Sequence, residues 1–162
     1  MSQRLQSIFF FLSALLFATL FFLPLSMYYG NENTLIFNVY GIDTLTEALE
    51  NPWPKTFSLP VLILAVTSMI LSGYLAMGLF RAVKLVQFVK LHKIARIDIV
   101  VIVAWIAVVF GYYIRVIGQP IGAGPTYKVG AFLPLVALLL TIAAASGLKK
   151  DIKKVRSTDR IR

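Results

Sequence analysis

Four apolar blocks in this chain contain no Asp, Glu, Lys, Arg or His. They cover residues 8–28, 60–80, 99–114 and 129–148. A helix needs about 20 apolar residues to cross roughly 30 Å of hydrocarbon, whereas closed barrels show short alternating segments instead. The blocks predict an all-α membrane protein, a four-transmembrane-helix bundle with helices at about 8–28, 60–80, 99–115 and 129–148.

Composition supports a single membrane domain over residues 1–162. The chain is 59% hydrophobic and 14% charged, and a soluble domain of this size needs more polar surface. The first block is longer than a signal-peptide core and is followed by no small-x-small cleavage site, so we interpret it as an uncleaved helix. The absence of cysteine excludes disulfides, thiolate metal sites and cysteine catalysis.

Basic residues predict the orientation of the bundle. If the helices alternate in direction, the amino terminus, the loop 81–98 and the tail 149–162 share one side. That side holds all but three of the 16 Lys and Arg residues, the exceptions being Lys55, Arg115 and Lys128. The positive-inside rule then places both termini in the cytoplasm.

This topology also explains a sequence pI near 10 without nucleic acid as a partner. Anionic lipid headgroups are the expected partners of cations that flank membrane helices. The candidate headgroup contacts are Arg81, Lys84, Lys149, Lys150, Lys153 and Lys154.

The outer loop 30–57 is expected to be folded. Residues 34–40 are β-branched and aromatic, which predicts a strand. Thr44 and Glu47 have the spacing of a capping box and predict a short helix. Trp53, which stands between two prolines, fits a membrane-interface anchor better than a partner contact.

The basic loop 81–98 carries Arg, Lys or Gln at every third position. One straight helix would turn this stripe by about −60° per step, so we expect two helical extensions with a turn near residues 88–93. Asp98 and Arg115 bracket the third block and are expected at opposite interfaces. Arg115 either extends to the outer surface or forms an ion pair with an acidic side chain of the outer loop.

The sequence shows no constellation for catalysis, so we expect no enzyme, cofactor or metal site. His92 is the only histidine and is expected in the solvated basic loop. The acidic cluster of Asp43, Glu47 and Glu50 is explained by helix capping and solvation. Coupled transport is disfavoured because the four blocks hold no ionisable residue.

Small residues on two helices predict close helix contacts. Ser72 and Ala76 have small-xxx-small spacing in the second helix, and Ala143 and Gly147 repeat it in the fourth. In the tail, the lysines 149–154 fit a lipid anchor. The arginine-rich end supplies planar hydrogen bonding that an anchor does not need. The candidate partner contacts are Arg156, Asp159, Arg160 and Arg162, which are expected to bind a cytoplasmic partner or, through Asp159, the protein's own basic loop.

Three stretches together carry a resemblance to a known family: residues 1–6 (MSQRLQ), 130–135 (GAFLPL) and 154–162 (KVRSTDRIR). They resemble an uncharacterised Bacteroidota inner-membrane family, domain of unknown function 4293. After Asp151 the family usually has an acidic residue, whereas this chain has Ile152-Lys-Lys. The resemblance implies a four-helix inner-membrane protein of a Gram-negative cell, with no assigned catalytic residue.

Two functions follow as hypotheses. The first is a non-catalytic accessory or scaffolding subunit of a larger inner-membrane complex for protein export, envelope biogenesis or respiration. The alternative is a small self-sufficient transporter or lipid-binding membrane protein, in which Arg115 or Lys128 would contact the ligand.

Overall fold

Four long helices dominate the structure, a computed structural model that describes residues 3–31, 33–45, 51–82 and 85–159. The helices are α1 (Gln3–Thr19), α2 (Leu59–Arg81), α3 (Leu85–Val108) and α4 (Val129–Asp159). α3 continues as a π-helix over Val109–Tyr113 and a final α-helical turn over Ile114–Val116.

Three helical segments are long and apolar enough to cross a membrane. They are Thr56–Arg81, Leu85–Ile121 and Val129–Ser157. α1 is also apolar but shorter. Its 17 residues extend about 25 Å at 1.5 Å per residue.

A small antiparallel sheet corrects the expectation of an all-α protein. Its strands are β1 (Ser26–Tyr29), β2 (Thr34–Asn38), β3 (Gly41–Thr44) and β4 (Pro125–Tyr127), in the order β3-β2-β1-β4. Short 3-10 helices occupy Lys55–Ser58 and Gln119–Ile121. The predicted folding of the outer loop is therefore observed, and the strand predicted at residues 34–40 corresponds to β2.

Each helix contacts two others around a four-helix arrangement. α1 packs against α2 and α4, and α3 packs against the same two helices. The start of α1, the α2–α3 connection and the end of α4 therefore lie together, and we call this the basic end. The opposite end carries the four strands, and we call it the sheet end.

One helix boundary at the sheet end differs clearly from its apolar block. The first helix ends at Thr19, not at residue 28, because residues 26–29 pair as β1 with β2, with Met27 opposite Ile36. Thr44, the predicted N-cap of a short helix, is the last residue of β3. The remaining residues of the predicted capping-box helix, including Glu47, lie outside the described part of the chain.

The predicted turn in the basic loop is also misplaced. α3 already begins at Leu85, and the chain turns between Arg81 and Leu85, with Ala82 extended. Lys90 and Lys93 project outward from this helix. Charged residues ended the apolar block without ending the helix, because exposed Lys and Arg have good helix propensity.

α4 extends past the apolar block as well, and the tail is helical as far as Asp159. Pro134 lies inside α4, in its second turn, where the missing N–H removes the hydrogen bond to the carbonyl four residues earlier.

Candidate functional site

Four polar residues, one from each helix, lie between two separate apolar cores. One core, nearer the sheet end, includes Phe17, Ala65, Ile102 and Ala137. The other, nearer the basic end, includes Phe10, Leu75, Ala95 and Ala144. The intervening residues, which we call the polar layer, are Ser13 on α1, Ser72 on α2, Asp98 on α3 and Thr141 on α4.

Direct hydrogen bonds connect this polar layer across the bundle. All four residues have no exposed surface. The Ser72 Oγ lies 2.5 Å from the Asp98 Oδ2 and 3.3 Å from the Ser13 Oγ. The Ser13 Oγ lies 3.0 Å from the Thr141 Oγ1, whose hydroxyl donates to the Ala137 carbonyl at 2.8 Å. The layer therefore joins all four helices through side chains.

The polar layer has more hydrogen-bond contacts than its hydroxyl groups have protons. Three hydroxyls supply three protons, but the layer contains four contacts: Asp98–Ser72, Ser72–Ser13, Ser13–Thr141 and Thr141–Ala137. If Asp98 is protonated, all four contacts can be hydrogen bonds, because each group then donates its proton to the next group in one direction. With an ionised Asp98, one contact has no proton.

Two buried oxygens near the layer have no hydrogen-bond partner among the described residues. They are the Oδ1 of Asp98 and the Oγ of Ser68, which lies one helical turn from Ser72. An unsatisfied buried oxygen costs about 1–3 kcal/mol. A carboxyl group without an ionic partner inside a helical bundle is a candidate functional group.

Asp98 is the main residue that the sequence interpretation misplaced. It is not exposed at the end of a helix but is fully buried within the bundle, on the inner face of α3. A signal was available, because Asp98 shares helical spacing with Leu91, Ala95, Ile102 and Trp105, all of which are buried. The apolar block was defined by the absence of charged residues, so it began at residue 99 and excluded Asp98.

The basic end has two further polar contacts between helices. The Nε2 of Gln6 donates to Asp151 at 2.6 Å, and the hydroxyl of Ser7 donates to the carbonyl of Ala76 at 2.6 Å. Gly147 lies against Gln6, so that a Cβ there would be 3.0 Å from the amide nitrogen. The small residues Ser72, Ala76 and Gly147 therefore do allow α1 to approach closely.

His92 differs from its predicted environment. It lies on α3 and is half-buried, and its two ring nitrogens have no hydrogen-bond partner in the described part of the chain. Within the same residues, no group of three or more His, Cys, Asp or Glu is placed to hold a metal ion.

At the sheet end, aromatic side chains bond to backbone carbonyls. The Tyr28 hydroxyl donates to Ile114 at 2.9 Å, and the Tyr113 hydroxyl donates to Phe57 at 2.7 Å. Burial raises the pKa of Tyr28 to about 12, partly opposed by a hydrogen bond from Ser26. These bonds attach the sheet and the 3-10 segment to the end of α3.

Trp53 also belongs to this contact between loop and helix. Its Nε1 donates to the Ile117 carbonyl at 3.2 Å, and its ring stacks on Phe57 at 4.4 Å. The indole is therefore engaged within the protein, a use that neither the interface-anchor nor the partner-contact interpretation anticipated.

The cations proposed as headgroup contacts lie at the basic end wherever the structure describes them. Arg81, Lys149, Lys150, Lys153 and Lys154 are exposed there, and Lys84 lies outside the described residues. Their contact with lipid stays a prediction.

Arg115 is exposed at the sheet end. Asp43, one of its possible partners, accepts a hydrogen bond from Asn38 at 2.8 Å. Glu32, Glu47 and Glu50 lie outside the described part of the chain. The outer ion pair therefore stays a prediction.

Of the candidate partner contacts, Arg156 is exposed on α4. It lines a cavity together with Lys90 and Lys93 of α3. Asp159 is the last residue of α4, and Arg160 and Arg162 lie outside the described residues.

These features define a mainly helical protein with three helices able to cross a membrane, a polar layer through the bundle and a four-stranded sheet at one end. The chain belongs to the family described as Domain of unknown function (DUF4293), which matches residues 2–161. The family resemblance seen in the sequence is thereby confirmed. No curated protein and no solved structure matches the chain.

Proposed function

We propose that this protein is a non-catalytic integral membrane protein of the inner membrane of a Bacteroidota cell. It serves as an accessory or scaffolding subunit of a larger complex for protein export, envelope biogenesis or respiration. In this proposal all four helices cross the membrane, the basic end faces the cytoplasm and the sheet end faces the periplasm.

The observation that carries the proposal is the closed centre of the bundle. The contacts of 2.5, 3.3 and 3.0 Å within the polar layer leave no space for water or a solute between those side chains. A path between the helices would have to break the hydrogen bonds of the layer. Such a bundle is suited to hold a fixed shape, and buried polar groups can specify one helix arrangement.

The outer surface of the helices supports membrane insertion. Large apolar side chains are exposed on every helix, among them Phe11, Ile70, Val100 and Leu139, which are 58–68% exposed. An exposed apolar surface of this kind marks contact with lipid or with another protein. The concentration of cations at one end agrees with the positive-inside rule.

The sheet end offers a surface for a partner. Tyr29, Tyr40 and Leu45 are 55%, 52% and 63% exposed there, outside the three membrane-length segments. The outward edge of β4 carries exposed residues throughout, and an unpaired strand edge can accept a strand from another chain.

Co-purification at native expression tests the proposal. The tagged chain should be extracted in mild detergent with stoichiometric partner proteins. Tyr40→Glu and Leu45→Glu should reduce partner recovery at least about tenfold while the chain stays in the membrane fraction, because a charge in a desolvated contact is costly. Gln119→Glu is the matched control, since Gln119 is exposed at the same end. A clean monomer at native expression would refute the subunit proposal.

Asp98 favours the second candidate, a self-sufficient transporter or lipid-binding protein. An intramembrane carboxyl is a common element of ion and proton pathways, and the sequence argument against transport assumed that none was present. Proton uptake by liposomes containing the protein alone, lost in Asp98→Asn, would favour this candidate over the subunit. Arg115→Ala should also reduce ligand occupancy if a ligand contacts that residue.

A further inference from the structure

A cavity of about 360 Å³ lies between the start of α3 and the last turns of α4. One wall carries Lys90 and Lys93, which are neighbours at i and i+3 on α3. Arg156 of α4 stands on the other wall. The cavity thus gathers three cations from two helices that are far apart in sequence.

The rest of the lining is apolar. It consists of Leu85, Val86 and Val89, and Val86 is 78% exposed. No acidic side chain is part of the lining formed by the described residues. Cations beside exposed aliphatic side chains fit a ligand with an anionic group and a hydrocarbon portion.

We propose that this cavity binds the headgroup of a phospholipid that carries two phosphates. Lys90 and Lys93 contact one phosphate as neighbouring point charges. Arg156 binds the second, because its planar guanidinium can donate two parallel hydrogen bonds to a phosphate. The first acyl carbons lie against Leu85, Val86 and Val89.

Charge and position both favour this occupant. Three cations in one cavity repel each other unless an anion offsets them, and two phosphates supply at least two negative charges. Basic pockets between membrane helices on the cytoplasmic side are typical sites for such headgroups. The inference rests on the membrane insertion and orientation in the proposed function, but it does not need a protein partner.

The site differs from the lipid anchor predicted from the sequence. Lysines 149–154 lie within α4, after its apolar part, and exert a general attraction on anionic lipid. The cavity instead selects a headgroup by the placement of Lys90, Lys93 and Arg156. Arg156, predicted as a protein contact, is here a lipid ligand.

Native mass spectrometry of the full chain in detergent tests this site. Diphosphatidylglycerol is titrated against the wild type, Arg156→Gln and the double variant Lys90→Gln/Lys93→Gln. We expect one tightly bound lipid in the wild type, with affinity falling about fivefold for each cation removed. Arg96→Gln is the matched control, since Arg96 is exposed at the basic end but does not line the cavity, and this variant should change affinity less than about twofold.

Two further ligands identify the recognised chemistry. Phosphatidylglycerol, with one phosphate, should bind at least about fivefold more weakly than diphosphatidylglycerol, and inorganic pyrophosphate should not displace the lipid at equal concentration. Equal binding of the one-phosphate lipid would overturn the two-phosphate assignment. Displacement by equimolar pyrophosphate would make a free diphosphate the ligand.

Two measurements distinguish a loss of lipid binding from a loss of folding or of partner binding. Each variant is melted without added lipid, and an unchanged melting temperature shows that a lost lipid reflects the site. Partner recovery is measured on the same variants. If both cavity variants keep the lipid affinity of the wild type, the lipid site is refuted, even if partner proteins co-purify. If only lipid affinity falls in these variants, the lipid site is supported, even for a protein that has no partner.

Discussion

The two ends of the bundle are built differently. At the sheet end, backbone pairing between β1 and β4 and side-chain bonds from Tyr28, Trp53 and Tyr113 tie distant segments together. At the basic end, the described helices meet through Gln6–Asp151 and Ser7–Ala76, and cavities of about 430, 360 and 260 Å³ open between them.

This difference indicates where stability and ligand binding reside. Tyr28, Trp53 and Tyr113 at the sheet end each donate to a backbone carbonyl of the protein, so changes to these three side chains should mainly alter the free energy of unfolding. The basic end leaves cations exposed beside cavities, so changes there should mainly alter binding. The polar layer lies between the two ends and joins their cores.

The largest effect is expected for Gly118→Ala at the sheet end. A Cβ at this position would overlap the carbonyl oxygen of Ala123 and lie 2.7 Å from the Tyr28 ring. Because backbone cannot move away cheaply, we expect a loss of about 3 kcal/mol of unfolding free energy, measured by thermal melting in detergent. Gly124→Ala is the control, since a Cβ there meets nothing within 4 Å. Equal melting temperatures of Gly118→Ala and Gly124→Ala would contradict the close packing at Gly118.

The polar layer should respond to the shape of the group that replaces Asp98. Asp98→Ala removes the partner of Ser72 and opens a cavity, with an expected loss of about 2–3 kcal/mol. Asp98→Asn should lower the free energy of unfolding by about 1 kcal/mol or less, because the amide oxygen can still accept the hydrogen bond that the Ser72 hydroxyl donates to Asp98. Thermal melting of both variants measures the difference. If Asp98→Asn lowers the melting temperature as much as Asp98→Ala does, the hydrogen bond from Ser72 to residue 98 does not contribute to stability.

Tyr28→Phe should lower the free energy of unfolding by about 1 kcal/mol, since the Ile114 carbonyl loses the hydroxyl that donates to it. The folded pKa of Tyr28 is raised from 10.0 to about 12. Its contribution to stability is therefore complete below pH 10 and is lost as the pH rises towards 12. Unfolding measured from pH 9 to 12 should show a steeper decline in the wild type than in Tyr28→Phe, and parallel curves would contradict the burial of this hydroxyl.

The smallest effect on stability is expected at the basic end. Lys150→Gln removes an exposed cation and should change the unfolding free energy by less than about 0.5 kcal/mol. Thermal melting checks this, and Gly118→Ala provides the contrasting variant. A loss of more than about 1 kcal/mol would show that the basic end is fixed by contacts similar to those at the sheet end.

The sequence predicted the helices well where apolarity and helix coincide. The block at residues 60–80 nearly matches α2, and the block at 129–148 lies inside α4. Boundaries failed elsewhere because apolarity reports burial in lipid or protein, not backbone conformation. Lys90 and Lys93 are charged yet helical, and Tyr28 is apolar in character yet lies in a strand.

The candidate sites were less accessible from sequence. Asp98 was judged by its position at the edge of an apolar block, although its helical spacing with Ala95 and Ile102 indicated the buried face. The cavity joins α3 to Arg156 of α4 through tertiary packing, and neither segment alone indicates the other. The pairing of β1 with β4 has the same origin, because its partners are separated by two complete helices.

That pairing also imposes an order on biosynthesis. The ribosome produces β1, β2 and β3 early, so their hairpins can form at once, but β4 appears only after α2 and α3 have been made. Until then one edge of β1 has no strand beside it, and such an edge can recruit a foreign strand. A nascent chain of this protein therefore passes through an interval in which its sheet end is incomplete, and correct placement of α3 brings that interval to a close.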